Sequence, residues 1–228
     1  MKTRNILLPV TFAIVALSSC KKESADANQS SAQGIQFQLQ TTNRTSNLNR
    51  TEASTIVWTA GTASVTMIKF EAKNASNQEI EFKSLIAQQV NLFTPVATTL
   101  GNVTLPDGTY QEVEFKITAD KTGNTPALEL TGQLTNSSGT VIPITFLANS
   151  RIELKAEQHN VVVSGTSSTT ALTSLNLALL TSGISQSMLS NATVTNGTII
   201  ISTSSNANLY NIITTNLIRS HEVEVHHH

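Results

Sequence analysis

Leu105-Pro106-Asp107-Gly108-Thr109-Tyr110-Gln111-Glu112-Val113-Glu114-Phe115-Lys116-Ile117 is the stretch that decides the fold. Pro106-Asp107-Gly108 has the residues of a tight turn, and Tyr110 stands where a packing side chain opens the strand that follows. Val113, Phe115 and Ile117 then alternate with Glu112, Glu114 and Lys116. That two-residue period belongs to a strand with one buried and one solvated face.

The same period recurs on both sides of this stretch. Ile35, Phe37 and Leu39 alternate with Gln36, Gln38 and Gln40; Ile68, Phe70 and Ala72 with Lys69, Glu71 and Lys73; Ile80 and Phe82 with Glu79, Glu81 and Lys83. Downstream, Leu128 and Leu130 flank Glu129, Ile144 and Phe146 flank Thr145, and Ile152 and Leu154 alternate with Arg151, Glu153 and Lys155. Ile56-Val57-Trp58 is a short apolar run. Many short alternating strands separated by Gly, Asn, Ser, Thr and Pro predict a mostly β chain folded as an antiparallel sandwich, immunoglobulin-like in kind.

After residue 165 the pattern changes. Thr173–Leu180 fits a strand through Leu175, Leu177 and Leu179 or a helix start through Leu172, Leu175 and Leu179. Ser182 is placed to cap a short helix through Met188 and Leu189. Ile199-Ile200-Ile201 reads as a buried strand. Leu209, Ile212, Ile213 and Leu217 have helical spacing, with Asn206 or Asn208 as cap, and Val223 and Val225 alternate as in a final edge strand. The expected organisation is a sandwich domain at 35–165 and a small mixed α/β C-terminal extension at 166–228 with one or two helices and short strands.

The chain has 228 residues and a 39% hydrophobic share, enough for a sizeable core and too much for wholesale disorder. Fourteen basic and fifteen acidic residues give a net charge of −1 with no basic block, which argues against nucleic acid as a partner.

The compartment is read at the N-terminus. Lys2 and Arg4 precede an apolar run from Ile6 to Leu17 that is too short to cross a hydrocarbon core of about 30 Å as a helix. Leu17-Ser18-Ser19-Cys20 follows and resembles the lipobox of bacterial lipoproteins. The resemblance implies a signal peptide at 1–19, cleavage before Cys20 and acylation of its thiol, with palmitate-type chains holding the protein to the membrane. Several acyl chains bind firmly where one binds reversibly. Residues 20–34 form a polar tether in which Lys21-Lys22-Glu23-Ser24-Ala25-Asp26 reads equally as a solvated linker or as the export signal that takes some lipoproteins to the outer face of the outer membrane. Cys20 is the only cysteine, so neither an intramolecular disulfide nor a cysteine metal cluster can form.

A second resemblance covers about residues 55–180. Trp58-Thr59-Ala60-Gly61, Ile68-Lys69-Phe70-Glu71-Ala72-Lys73, Val90-Asn91-Leu92-Phe93 and above all Leu105-Pro106-Asp107-Gly108-Thr109-Tyr110 are similar to the DUF4382-like envelope lipoproteins, a family of unknown function. It implies a transthyretin-like sandwich and brings no catalytic residues.

Chemistry is sparse. His159, in Glu157-Gln158-His159-Asn160, reads as a surface histidine in a turn, and no Gly-x-Ser-x-Gly elbow accompanies any serine. On a strand, Glu222, Glu224, His226 and His228 would share a face, but a structural metal usually draws its ligands from separate elements. Asp120-Lys121-Thr122-Gly123-Asn124 lacks the further acidic ligands of a calcium loop and reads as a turn. Glu112 and Glu114, like Glu79 and Glu81, sit on solvated strand faces where cross-strand charge pairing is the usual role. Trp58 reads as core. The expected catalytic, cofactor and metal sets are empty, and Cys20 is the one site residue, for lipidation. The expectation is a non-enzymatic binding or structural module lipid-anchored at the outer membrane, on its surface or periplasmic face, with an envelope protein or extracellular ligand as partner. An envelope hydrolase with a loop-built site and an accessory subunit of a surface complex are the alternatives.

Overall fold

A computed structural model describes residues 34–48, 54–74, 76, 78–164 and 168–228. The chain is mostly β, with thirteen strands among the described residues in two sheets that face one another across a single apolar core. Cys20, the signal peptide and the tether as far as residue 33 lie outside the described residues.

The smaller sheet contains β1 (Ile35–Thr42), β5 (Thr98–Val103), β10 (Thr169–Asn176) and β13 (His221–His227), in the order β13-β10-β1-β5. β1 pairs parallel with β10, and the other pairings are antiparallel. The larger sheet is organised by β3 (Thr55–Asn74), whose 20 residues serve two sets of neighbours. Thr55–Ala63 pair with β7 (Leu128–Thr135), while Val65–Asn74 pair with β6 (Gly108–Ala119). The opposite edge of β3 takes β2 (Thr45–Asn47) and then β4 (Glu79–Asn91). Beyond β6 lies β9 (Ile152–Val163); beyond β7 come β8 (Val141–Ala148), β12 (Thr198–Ile201) and β11 (Val194–Thr195).

β3 joins two apolar runs that read as separate strands in the sequence. The intervening Thr59-Ala60-Gly61-Thr62-Ala63-Ser64 is small rather than turn-forming, so the strand runs on. At the change of neighbours, the Ser64 N–H donates to the Ala127 carbonyl at 3.0 Å, and the Asp120 N–H donates to the Ser64 carbonyl at 3.0 Å. The Ser64 hydroxyl donates to the Pro126 carbonyl at 2.8 Å, which leaves this buried serine satisfied. Lys121 to Thr125 make the turn between β6 and β7, closed by reciprocal Thr122–Thr125 backbone bonds of 3.0 Å.

The inner faces interlock through aromatic rings. Phe37 of β1 meets Phe115 of β6 edge to face at 5.5 Å, and Phe115 meets Phe70 of β3 at 5.4 Å. Phe70 also meets Tyr110, at 6.3 Å. All four are buried, and each phenylalanine contributes about 1.5–3 kcal/mol by leaving water. The Tyr110 hydroxyl donates back to the Pro106 carbonyl at 2.7 Å, so the Pro106–Gly108 loop is pinned to the strand it introduces. Trp58 is fully buried, as read from the sequence.

Residues 166–228 supply α1 (Leu177–Leu180), α2 (Gln186–Ser190) and α3 (Ala207–Leu217), together with strands built into both sheets. The two readings of Thr173–Leu180 each hold for half the segment: β10 ends at Asn176, whose side chain caps α1. The cap of α2 is Ser185 rather than Ser182, its hydroxyl accepting from the Met188 N–H at 3.3 Å. Asn206 occupies the N-cap position ahead of α3, as expected, with φ 54°, but its side chain makes no capping hydrogen bond to the helix. Its amide instead donates to the Thr193 and Ile200 carbonyls at 3.0 and 2.8 Å, which ties the β11–β12 hairpin to the helix. His221 closes the C-terminal end of α3, its ring nitrogens lying 3.1 Å from the Leu217 carbonyl and 2.8 Å from that of Lys155 in β9.

One further expectation needs correction. Glu157–Asn160 is not a turn but part of β9, because Glu112 and Glu114 of β6 pair opposite His159 and Glu157; Asn160 takes its positive φ of 58° within the strand. Ile35–Gln40 belongs to an inner strand, β1 being held between β10 and β5.

A Cβ added at Gly132 of β7 would clash with the Val57 carbonyl oxygen of β3. Gly132→Ala is expected to cost about 2 kcal/mol, read from the urea midpoint; an unchanged midpoint would show that the two strands stand farther apart. Burial pushes the Tyr110 phenol above its ordinary value of 10, and the charge of Asp107 acts in the same direction. The folded state therefore holds this proton more tightly than the unfolded chain does. Its contribution is complete below pH 10 and is lost as pH rises further. Tyr110→Phe is expected to cost about 1 kcal/mol at neutral pH and to flatten the alkaline loss of stability, both measured by denaturant titration.

Candidate functional site

The outer face of β4-β3-β6-β9 carries the densest charge among the described residues, and its register gives it an unusual order. Glu81, Glu71, Glu114 and Glu157 stand directly opposite one another across four adjacent strands. Two residues along, Lys83, Lys69, Lys116 and Lys155 form a parallel row. On the other side of the glutamates runs a mixed row of Glu79, Lys73, Glu112 and His159. Like charges directly opposite are unfavourable.

The sheet relieves this by pairing along and diagonally across strands. Lys69 contacts Glu71 on its own strand and Glu81 diagonally at 3.7 Å. Lys155 reaches Glu114 at 2.7 Å and Glu157 at 3.2 Å, while Lys116 reaches Glu114 at 3.2 Å. Lys73–Glu112, at 3.2 Å, is the directly cross-strand pair of the kind the sequence led one to expect.

Glu114 is the most enclosed carboxylate of the set. Burial opposes its ionisation, and the hydrogen bonds and charges of Lys155 and Lys116 outweigh that effect, holding the carboxyl below its ordinary value of 4.5. Glu71, Glu79, Glu81, Glu112 and Glu114, with Lys73 among them, line a shallow depression of about 190 Å³. A glycosidase acid needs a carboxyl displaced upward, and Glu114 is displaced downward.

The other sequence candidates lie apart from this face or on its margin. His159 is exposed at the end of the mixed row, its Nδ1 3.3 Å from the Gln111 carbonyl. Glu222, Glu224 and His226 lie on the outward side of β13, with Val223 turned inward, and His226 pairs with Glu224 at 3.2 Å. Among the described residues no three His, Cys, Asp or Glu side chains are grouped so as to hold a metal. Tyr210 stacks on Phe146 at 5.7 Å and lines a groove of about 530 Å³ with Arg151, Ile152, Leu217 and Ile218. Sequence reasoning found every charged residue of the face but not the rows, which depend on how the strands are aligned.

No protein-family model, no curated protein and no solved structure matches the chain.

The downward displacement of Glu114 sets an acid dependence. Its stabilising contribution is complete above pH 4.5 and is lost as pH falls below that value through the lower folded one. Glu114→Gln is expected to flatten the fall in unfolding free energy between neutral and acid pH; an unaltered acid limb would mean that the Lys116 and Lys155 contacts do not hold this carboxylate.

Proposed function

We propose that this chain is a lipid-anchored cell-envelope protein whose β body serves as a non-enzymatic binding or structural module at the outer membrane. The observation that carries this reading is Leu17-Ser18-Ser19-Cys20 behind a basic start and an apolar run of a dozen residues.

The body is suited to such a tether. Gly34 opens β1 beside the start of β10, where the Thr169 N–H donates to its carbonyl at 3.4 Å, and the C-terminal residue is hydrogen-bonded to Ser168 at the same end. Asn74 closes β3 near this end, opposite Tyr110, and the other end of β3 lies beside the Asn136–Thr140 turn. An anchor at Cys20 would therefore join the body at the first end. Strand addition is one means of partner engagement open to such a module. Among the described residues β4 pairs only with β3, which leaves its second edge for this use. At β13, the Val223 carbonyl is occupied by the Gln158 amide at 2.9 Å.

Labelled palmitate and protease shaving of intact cells test the reading. The wild-type chain is expected to take up label, and Cys20→Ala to take up none and to leave the membrane fraction. Loss of the body from unbroken cells would favour the outer face of the outer membrane over the periplasmic one. Protection until the outer membrane is opened would rule out surface display, and an unlabelled wild-type chain would overturn the anchor.

A further inference from the structure

We infer that the striped face of β4-β3-β6-β9 is a self-complementary surface through which two copies of this chain pair. The inference goes beyond the anchoring proposal and does not depend on Cys20. A face shaped by stability alone would place opposite charges across each strand pair. Here six directly opposed pairs carry like charge: Glu81–Glu71, Glu71–Glu114 and Glu114–Glu157 in one row, and Lys83–Lys69, Lys69–Lys116 and Lys116–Lys155 in the next. The result is a pair of charged stripes. Side chains within a stripe are about 4.8 Å apart, and the stripes are about 7 Å apart.

A two-fold axis lying between the stripes and parallel to them sets the glutamate stripe of one copy over the lysine stripe of the other at every position. Glu81 then faces Lys83 of the second copy, Glu71 faces Lys69, Glu114 faces Lys116 and Glu157 faces Lys155. Each relation occurs twice, as an isologous contact requires. An axis running along the strands would instead set glutamate over glutamate, so the stripes select one arrangement. At the β9 end, Lys155 and Glu157 retain 46% and 51% of their side-chain exposure, and Glu71 and Glu81 retain 37% and 33%, against 17–19% for Lys69, Lys116 and Glu114. The contact is electrostatic and therefore sensitive to salt, since the screening length falls from about 8 Å at physiological ionic strength to about 3 Å at 1 M.

The test is carbodiimide coupling of carboxylates to amines in the full chain, purified in detergent as an equal mixture of ¹⁴N- and ¹⁵N-labelled protein. Isotopically mixed Glu81–Lys83 and Glu157–Lys155 peptides are expected at low salt and are expected to vanish at 1 M salt. Lys83→Glu with Lys155→Glu makes the flanks of both stripes acidic; Glu81→Lys with Glu157→Lys makes them basic. Scored on the unmutated Glu71–Lys69 and Glu114–Lys116 pairs, each double variant alone is expected to lose mixed-label product by about tenfold or more, and a mixture of the two variants is expected to regain it. Circular dichroism checks folding, and Lys83→Gln with Lys155→Gln serves if a reversal variant unfolds; it too is expected to lose mixed-label product. Coupling confined to single-label peptides at low salt, retention of mixed-label product by either reversal variant, or failure of the folded pair to restore it would overturn the inference.

Discussion

The register of β3 against its neighbours is the constraint on which the rest of the molecule depends. Side chains on a strand alternate between faces, so one alignment fixes both faces at once. The alignment that sets Phe70 opposite Phe82 and Phe115 inside the sandwich also sets Glu71 opposite Glu81 and Glu114 outside it. A slip of β3 by one residue would drive its Lys69, Glu71 and Lys73 into the core and expel Ile68, Phe70 and Ala72. Burial of the aromatic layer is therefore the force that holds like charges in rows, and its cost to the outer face is moderated by diagonal ion pairs.

A second consequence follows from the length of β3. Because one strand carries β7 on its first half and β6 on its second, the two parts of the larger sheet cannot move independently. Ser64 sits at the change of neighbours with its backbone groups and hydroxyl bonded to Asp120, Ala127 and Pro126. The C-terminal segment adds a further restraint. β10 and β13 enter the smaller sheet, β12 extends the larger one beside β8, and His221 links α3 to β9. The last sixty residues thus bind the two sheets together from both sides.

Local features were legible in the sequence; alignments between distant segments were not. The alternation in Val113, Phe115 and Ile117, the turn at Pro106–Gly108 and the helical spacing of Leu209, Ile213 and Leu217 each express a period that a short window contains. The parallel pairing of Ile35 with Thr169 joins residues more than a hundred positions apart, and nothing near either one marks the other. The same reason hid the charge rows. Glu71, Glu114 and Glu157 each look like an ordinary solvated residue, and only their alignment makes a stripe. Asn160 misled in a different way. Asparagine favours positive φ and so reads as a turn, yet here that conformation is absorbed inside a strand whose partner continues past it. Asn206 likewise stands at a helix start but spends its amide on the neighbouring hairpin, where two carbonyls needed a donor.

The most direct measurement of the central claim is a set of inter-strand nuclear Overhauser contacts across β4, β3 and β6 in isotopically labelled protein. The register of β3 predicts contacts that pair Phe70 with Phe82 and Phe115, and Glu71 with Glu81 and Glu114. Contacts displaced by one residue, with a lysine opposite Phe70 or a phenylalanine opposite Glu71, would contradict it.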